Sequence, residues 1–323
     1  MSPARLPSLD YIKSAAIVAV TLTHAVPASF VTGISDRSLL ALQLTGFHVP
    51  AFLFVSGFLA DAAAPVGLSR VFDRLARLLP PYLVATALVW AAGLVEFRDP
   101  ANLAFKVATG AALGHFYFVP VLAGCFVLLP ILSRLGRATA IAVAIALALM
   151  AEAQWMVPQW RFNDVLFWQV RNPIVQFHVG HFLLGIIASQ HRAALARAAA
   201  FAPAIGVATA TALLGFAWLA ATHPALAMHP LAHTGYTLTV MACIAAFTPA
   251  EPAPPAIRFV SDATLTIYLY HWFAYVVLMP RLSGVPAAPR MVVLSTAGMA
   301  VGTAVALLGR RAFGRRSRLL IGT

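Results

Sequence analysis

The sequence predicts an all-α, polytopic membrane bundle of about ten transmembrane helices with both termini cytoplasmic. Three observations carry that reading. Of 323 residues, 61% are hydrophobic and 10% charged, with mean hydropathy +0.85, whereas a soluble domain carries about 25% charged residues. Apolar segments recur along the whole chain, separated by charged or Pro/Gly-rich breaks, each near the ~17–25 residues that span a bilayer. The 22 Lys and Arg residues cluster between those segments, with an excess on one side, as the positive-inside rule expects.

In chain order the segments fall at 13–32, 39–60, 78–95, 115–132, 138–153, 173–190, 198–220, 231–248, 262–280 and 290–309, followed by a basic tail at 310–323. The fifth is the shortest. The basic start, the apolar run from Ala15 and the small residues around Ala25 to Ser29 also resemble a signal peptide. His24 and Pro27 in the would-be cleavage region favour an uncleaved first spanning helix. With the N-terminus inside, the cytoplasmic sites collect Arg5, Lys13, Arg70, Arg74, Arg77, Arg134, Arg137, Arg192, Arg197, Arg258, Arg310, Arg311, Arg315, Arg316 and Arg318. The other side collects Arg37, Arg98, Lys106, Arg161, Arg171, Arg281 and Arg290. That asymmetry orients the chain in a bacterial-type inner membrane. It also accounts for the net charge of +12 without nucleic acid as a partner.

The chain reads as a single membrane domain over 1–323, with no internal repeat and no stretch polar enough for a soluble module. Cys125 and Cys243 lie inside apolar segments and read as small packing residues. The external loop 152–172 carries Trp155, Trp160, Arg161, Asn163, Asp164 and Trp168, either an interfacial aromatic belt or a lid over a sugar-sized acceptor.

Lys13 and His24 share the first segment. On a helix, eleven residues return to within ~20° of the same face with a rise of ~16 Å. An ammonium then stands near one membrane surface and an imidazole roughly halfway across the ~30 Å core, where an ionisable group points to function. Alternatively, Lys13 is a snorkelling topology anchor and His24 a neutral imidazole bonded to a neighbouring helix. Asp10 pairs with Lys13 or positions it, being ~20 Å of helical rise from His24. Thr21 orients His24 or packs.

The second segment contains Phe47-His48-Val49-Pro50 and Ser56-Gly57-Phe58, where Pro50 and Gly57 are expected to bend or thin the helix. Arg70, Arg74 and Arg77 recur at one-turn spacing ahead of Pro80-Pro81. They are a cluster for anionic lipid and topology, or a clamp whose guanidinium forks hold phosphates. Near the end, Ser261, Asp262, Thr264, Tyr268, Tyr270 and His271 bring a second midmembrane histidine that can face the first. His178 and His181 stand at i, i+3, but no Asp, Glu or Cys completes a ligand set on that segment, so no metal is expected.

Taken in order, LDYIK-x10-H, FHVPAFLFVSGF, RLARLLPPYL, HFYFVPVL and IYLYHWF resemble the acyltransferase 3 family, over about residues 5 to 309. These are membrane enzymes that acylate hydroxyls of extracytoplasmic carbohydrates and related molecules. The K-x10-H and FHVP…SGF signatures look most like the fucose 4-O-acetylase-like branch. Two departures loosen that placement: Val49 stands where methionine is common, and Phe116-Tyr117-Phe118 where Trp-Phe-Leu is usual. The resemblance implies that Lys13 and His24 are the pair implicated in acyl transfer. Arg74 and Arg77 match a cytoplasmic RxxR pair, Ser56 and Gly57 the SGF turn, and Tyr268 with His271 a late YLxH motif.

The implied substrates are an acyl-CoA donor, acetyl-CoA foremost, and a carbohydrate acceptor. The donor's phosphates are held by Arg74 and Arg77, joined by Arg70 and Lys13, and its thioester reaches toward His24. His24 then acts as general base on an acceptor hydroxyl or carries the acyl group itself. Asp10, His48, Ser56, Tyr268 and His271 line the path. The reading from a different class is a transporter or flippase for a small polar or lipid-linked solute, which ten broken helices also suit. The absence of an inverted repeat and the scarcity of intramembrane carboxylates weigh against it.

Overall fold

A computed structural model describes residues 5–29, 36–60, 66–156, 176–227 and 229–323. Among them the regular structure is entirely helical: α1 (Pro7–Ser29), α2 (Asp36–Thr45), α3 (His48–Phe58), α4 (Leu68–Ala91), α5 (Pro100–Thr109), α6 (Phe118–Leu132), α7 (Arg137–Met156) and α8 (Gln176–Gln190). The remainder comprises α9 (Arg192–Ala198), α10 (Ala202–Thr222), α11 (Pro224–Ala227), α12 (Pro230–Phe247), α13 (Pro255–Asp262), α14 (Thr264–Leu278), α15 (Ala287–Phe313) and α16 (Ser317–Leu320). Among the described residues, five stretches are long and apolar enough to cross a membrane: Pro7–Val26, Leu40–Phe58, Ala202–Thr222, Pro230–Phe247 and Ala287–Phe313. Phe118–Leu132, Val179–Gln190 and Thr264–Leu278 are shorter apolar helices. All of this suits a bundle in lipid, where the backbone must satisfy its own hydrogen bonds.

The chain divides into two compact units, residues 1–55 with 191–305 and residues 56–190 with 306–323. In the first, α1 is the central helix. Pro7 and Asp10 lie in its first turn, where a missing N–H costs nothing and a carboxylate suits the helix dipole. It packs on α2, α12, α13 and α14, burying Leu9, Ile12, Ala16, Ile17, Val20 and Ala25. By contrast α10 packs on α12 and α2 and leaves Val207, Leu214 and Trp218 exposed, a face suited to lipid. The late helices α14 and α15 meet through Gly298 and Gly302, one turn apart. A Cβ on Gly302 would stand 2.5 Å from the Ile267 Cα, and one on Gly298 3.0 Å from the Tyr275 ring. Small residues at that spacing let membrane helices approach closely.

In the second unit α4 packs on α6, α7 on α8, α6 on α8, and α16 on α4. The tail is held by Ser317, whose hydroxyl donates to the Thr323 carbonyl at 2.9 Å. Where α3 meets α8, a Cβ on Gly57 would lie 2.0 Å from the Phe182 carbonyl oxygen. Gly57→Ala is therefore expected to destabilise by about 1–3 kcal/mol, the usual cost of overpacking. A melting temperature in detergent equal to that of the wild type would refute this close contact.

Several segment expectations are revised. The first helix begins at Pro7 rather than 13, because Ser8 and Asp10 are tolerated in an N-terminal turn. The second segment breaks at Gly46-Phe47, while α3 runs through both Pro50 and Gly57. Pro50 sits in the first turn of α3, where its missing N–H is harmless. Arg70, Arg74 and Arg77 lie on α4 itself, which continues from Leu68 through Pro80 and Pro81. The loop 96–114 contains α5, capped by the Asp99 side chain accepting from the Asn102 N–H. The last segment extends to Phe313, beyond the expected start of the tail. The aromatic residues of 157–172 lie outside the described residues.

Candidate active site

The polar end of α1 is fastened to α13 by a network centred on Asp10. Arg5 donates to both Asp10 oxygens, Nε to Oδ2 and Nη2 to Oδ1, each at 2.7 Å. The same guanidinium reaches Asp262 at 3.0 and 3.3 Å. Ser261 Oγ donates to Asp10 Oδ1 at 2.6 Å, and Lys13 Nζ to the Ser261 carbonyl at 2.9 Å. Ser14 Oγ adds a bond to the Ile257 carbonyl at 3.1 Å. The hydrogen bonds to Asp10, reinforced by Asp262, raise the Arg5 guanidinium above its ordinary range.

The expected Asp10–Lys13 pair is thus corrected. Asp10 takes Arg5 as its ion-pair partner, while Lys13 donates to the Ser261 carbonyl and acts on Asp10 as a nearby charge. The fork of Arg matches a carboxylate bidentately, which an ammonium cannot do. Since Asp10 is buried and Arg5 exposed, Asp10→Ala is expected to cost about 1–3 kcal/mol, read as a lower melting temperature. No change would show that solvent screening cancels the pair.

Eleven residues beyond Lys13 on α1, His24 meets α14. His24 Nδ1 lies 2.9 Å from His271 Nε2, with ring centroids 5.0 Å apart and planes 14° from parallel. That separation is close to the N–N distance plus the two ring radii, so the rings lie side by side in nearly one plane. His271 is completely buried, whereas His24 is half-buried. His271 Nδ1 in turn lies 2.8 Å from the Tyr268 carbonyl and 3.1 Å from the Ile267 carbonyl.

Two further rings flank His24 edge-on, His48 at 6.3 Å and Trp272 at 6.4 Å. His48 follows the break after α2, and its Nδ1 stands 2.7 Å from the Thr45 carbonyl. It therefore caps a carbonyl that the end of a helix leaves without a helical donor. Thr21 ties helices together: its Oγ1 meets Ser295 Oγ at 2.9 Å, and its carbonyl accepts from the Tyr275 hydroxyl at 2.6 Å. Tyr268 is buried on α14.

The first unit thus brings His24, His48 and His271 together at one level of α1, and Asp10, Lys13, Ser261 and Asp262 at the other. Sequence reading missed Arg5, the link between the two carboxylates; its five-residue spacing from Asp10 was the available signal. It also missed Trp272 and Tyr275, which only the α1–α14 contact brings to the site. The remaining candidates belong to the second unit. There Ser56 is half-buried on α3, and Arg70 and Arg77 are exposed on α4. Arg74 donates to the Leu59 carbonyl at 2.9 Å and lies 5.3 Å above the Phe126 ring, an arrangement that holds the guanidinium in place. Among the described residues, no group of three or more His, Cys, Asp or Glu side chains is arranged to hold a metal.

Chemically, an accessible imidazole backed by a buried one can accept a proton or an acyl group. The exposed arginines of α4 can bind an anion. Comparison with known proteins gives this arrangement its context. A family model described as an acyltransferase domain matches residues 6–309. No curated protein and no solved structure matches the chain. The matched stretch takes in both helices of the histidine pair and the arginines of α4, and on that match the chain belongs to the acyltransferase 3 family, making it an integral-membrane acyltransferase for groups other than aminoacyl groups.

Proposed function

We propose that this enzyme moves an acyl group, acetyl foremost, from cytoplasmic acyl-CoA to a hydroxyl of a carbohydrate or cell-surface glycan. The observation that carries this reading is His24, half-buried within an apolar helix and hydrogen-bonded to the fully buried His271. A buried imidazole behind an accessible one is a costly arrangement in an apolar bundle, and proton transfer gives it a use.

In the transfer, His24 takes the proton of the acceptor hydroxyl as its oxygen attacks the thioester carbon. The new C–O bond forms, the C–S bond breaks, and the proton passes from His24 to the departing CoA thiolate. In the covalent variant the neutral imidazole nitrogen attacks first, the N–C bond forming as the C–S bond breaks and CoA leaves as the thiolate. The acceptor hydroxyl then displaces the acyl group, the C–O bond forming as the N–C bond breaks, and its proton passes by way of His24 to the thiolate. The donor's phosphates are assigned to Arg70, Arg74 and Arg77. Lys13, with one of its three donors given to Ser261, supplies a further cation.

The ten apolar segments of the sequence and the asymmetry of its Lys and Arg residues support ten crossings with both termini cytoplasmic in a bacterial-type inner membrane. The K-x10-H and SGF signatures support the fucose 4-O-acetylase-like branch. Membranes containing the protein are expected to release CoA from acetyl-CoA and to pass a labelled acetyl group to glycan. Mass spectrometry of surface glycans from cells with and without the protein is expected to show a lost acetyl increment. Identical glycans, together with no CoA release, would remove this reading.

A further inference from the structure

We infer that His271 is a positioning residue that fixes the tautomer of His24, protonating Nδ1 and leaving the reactive lone pair on Nε2. This deepens the proposed acyl transfer and rests on it for its functional consequence, though not for its geometry.

The protonation pattern is set from the α14 backbone outward. A carbonyl oxygen only accepts hydrogen bonds. His271 Nδ1, at 2.8 Å from the Tyr268 carbonyl and 3.1 Å from the Ile267 carbonyl, therefore carries a hydrogen. A neutral imidazole has one N–H and one lone pair, so the lone pair of His271 sits on Nε2. That nitrogen lies 2.9 Å from His24 Nδ1, with the rings nearly coplanar, the alignment that a directional N–H to N bond prefers. His24 Nδ1 must then be the donor, and by the same rule the lone pair of His24 is on Nε2.

Burial assigns the roles. His271 is completely enclosed, with Gly298 of α15 so close that an added Cβ would stand 3.2 Å from its own Cβ. It cannot itself meet a sugar-sized acceptor, whereas His24, only half-buried, keeps some accessible surface for one. The pair thus does the work of a histidine and its orienting carboxylate in hydrolase triads, with a neutral imidazole in the carboxylate's place. When His24 Nε2 takes the hydroxyl proton, the imidazolium that forms donates from Nδ1 to His271 Nε2. The positive charge is thereby met by a lone pair already aimed at it. The backbone of α14 sets the direction of the whole relay.

The direct test is two-bond 1H–15N correlation of the full-length protein in detergent, labelled with 15N-histidine, with His24 assigned by the loss of its signals in His24→Gln. The expected result is His24 with Nδ1 protonated and Nε2 unprotonated at neutral pH. The opposite tautomer, or an average of the two, overturns the inference.

A second measurement reads the consequence, using acetyl-CoA as probe and water as acceptor, with release of CoA thiol followed. His271→Phe is expected to lower kcat by about 10²–10⁴, the range of a positioned acid–base group, with KM for acetyl-CoA unchanged. His271→Gln, whose amide oxygen can still accept from Nδ1–H, is expected to recover about tenfold of that loss. Equal rates in the Phe and Gln variants, or a loss carried by KM, overturn the inference. The two readings fail separately. The expected tautomer without any CoA release would remove the acyl-transfer reading alone. Activity dependent on His24 with the opposite tautomer would remove this one alone.

Discussion

His24→Ala is expected to slow acyl transfer by about 10²–10⁴, the contribution typical of one positioned acid–base group, while the protein still inserts and folds. The substitution deletes the imidazole that meets His271 and faces His48 and Trp272. It leaves intact the two features that hold α1 in place. At one end these are the Arg5–Asp10–Ser261–Lys13 network. Near the site they are the contacts of Thr21 with Ser295 and Tyr275. Because His24 is half-buried rather than fully enclosed, the loss of packing is small beside the loss of chemistry. The measurement is transfer of labelled acetyl from acetyl-CoA, normalised to folded protein by its melting curve. Transfer at the wild-type rate in a folded variant would exclude His24 as base or acyl carrier.

The second large effect concerns the donor. Replacing both Arg74 and Arg77 with alanine is expected to raise the KM for acetyl-CoA by about 10- to 100-fold, given ~1.5–3 kcal/mol for a hydrogen bond to a charged group. The two single variants should differ in kind. Arg77 is exposed, so Arg77→Ala should change KM with little change in melting temperature. Arg74 bonds the Leu59 carbonyl and lies over Phe126, so Arg74→Ala should lower both affinity and stability. Arg74→Lys should restore neither in full, since an ammonium cannot reproduce the planar fork. A KM unchanged in the double variant would leave these arginines with topology or lipid contact as their role.

Much of the candidate site was legible along the chain because its two anchors share one helix. The eleven-residue spacing of Lys13 and His24 holds through α1, which runs unbroken from Pro7 to Ser29. The late histidine was visible as a polar residue in an apolar run, and it does face the first. What escaped was pairing. Asp10 stands three residues from Lys13, a spacing that suits an ion pair on a helix, yet its partner is Arg5, because the chain before α1 turns a bidentate donor onto it. Similarly, Pro50 and Gly57 looked like the weak points of the second segment. The break instead falls at Gly46-Phe47, where a Cβ on Gly46 would stand 2.6 Å from His233 Nε2 on α12. Close approach by another helix determined that position, and local propensity could not reveal it.

By itself the sequence determined that this is a helical membrane protein of the acyltransferase 3 family, and which helix carries its first histidine. The membrane helices and the place of His24 follow from transfer free energies and helical periodicity, which each segment expresses alone; the family follows from motifs kept in order along residues 6–309. The tertiary structure decided which lone pair meets which N–H. His24 and His271 are 247 positions apart, and only the packing of α14 on α1, with α15 closed behind it through Gly298 and Gly302, aligns their rings. Hydropathy places an imidazole at a depth. Directional hydrogen bonds between distant helices give it an orientation, and with it a reactive nitrogen.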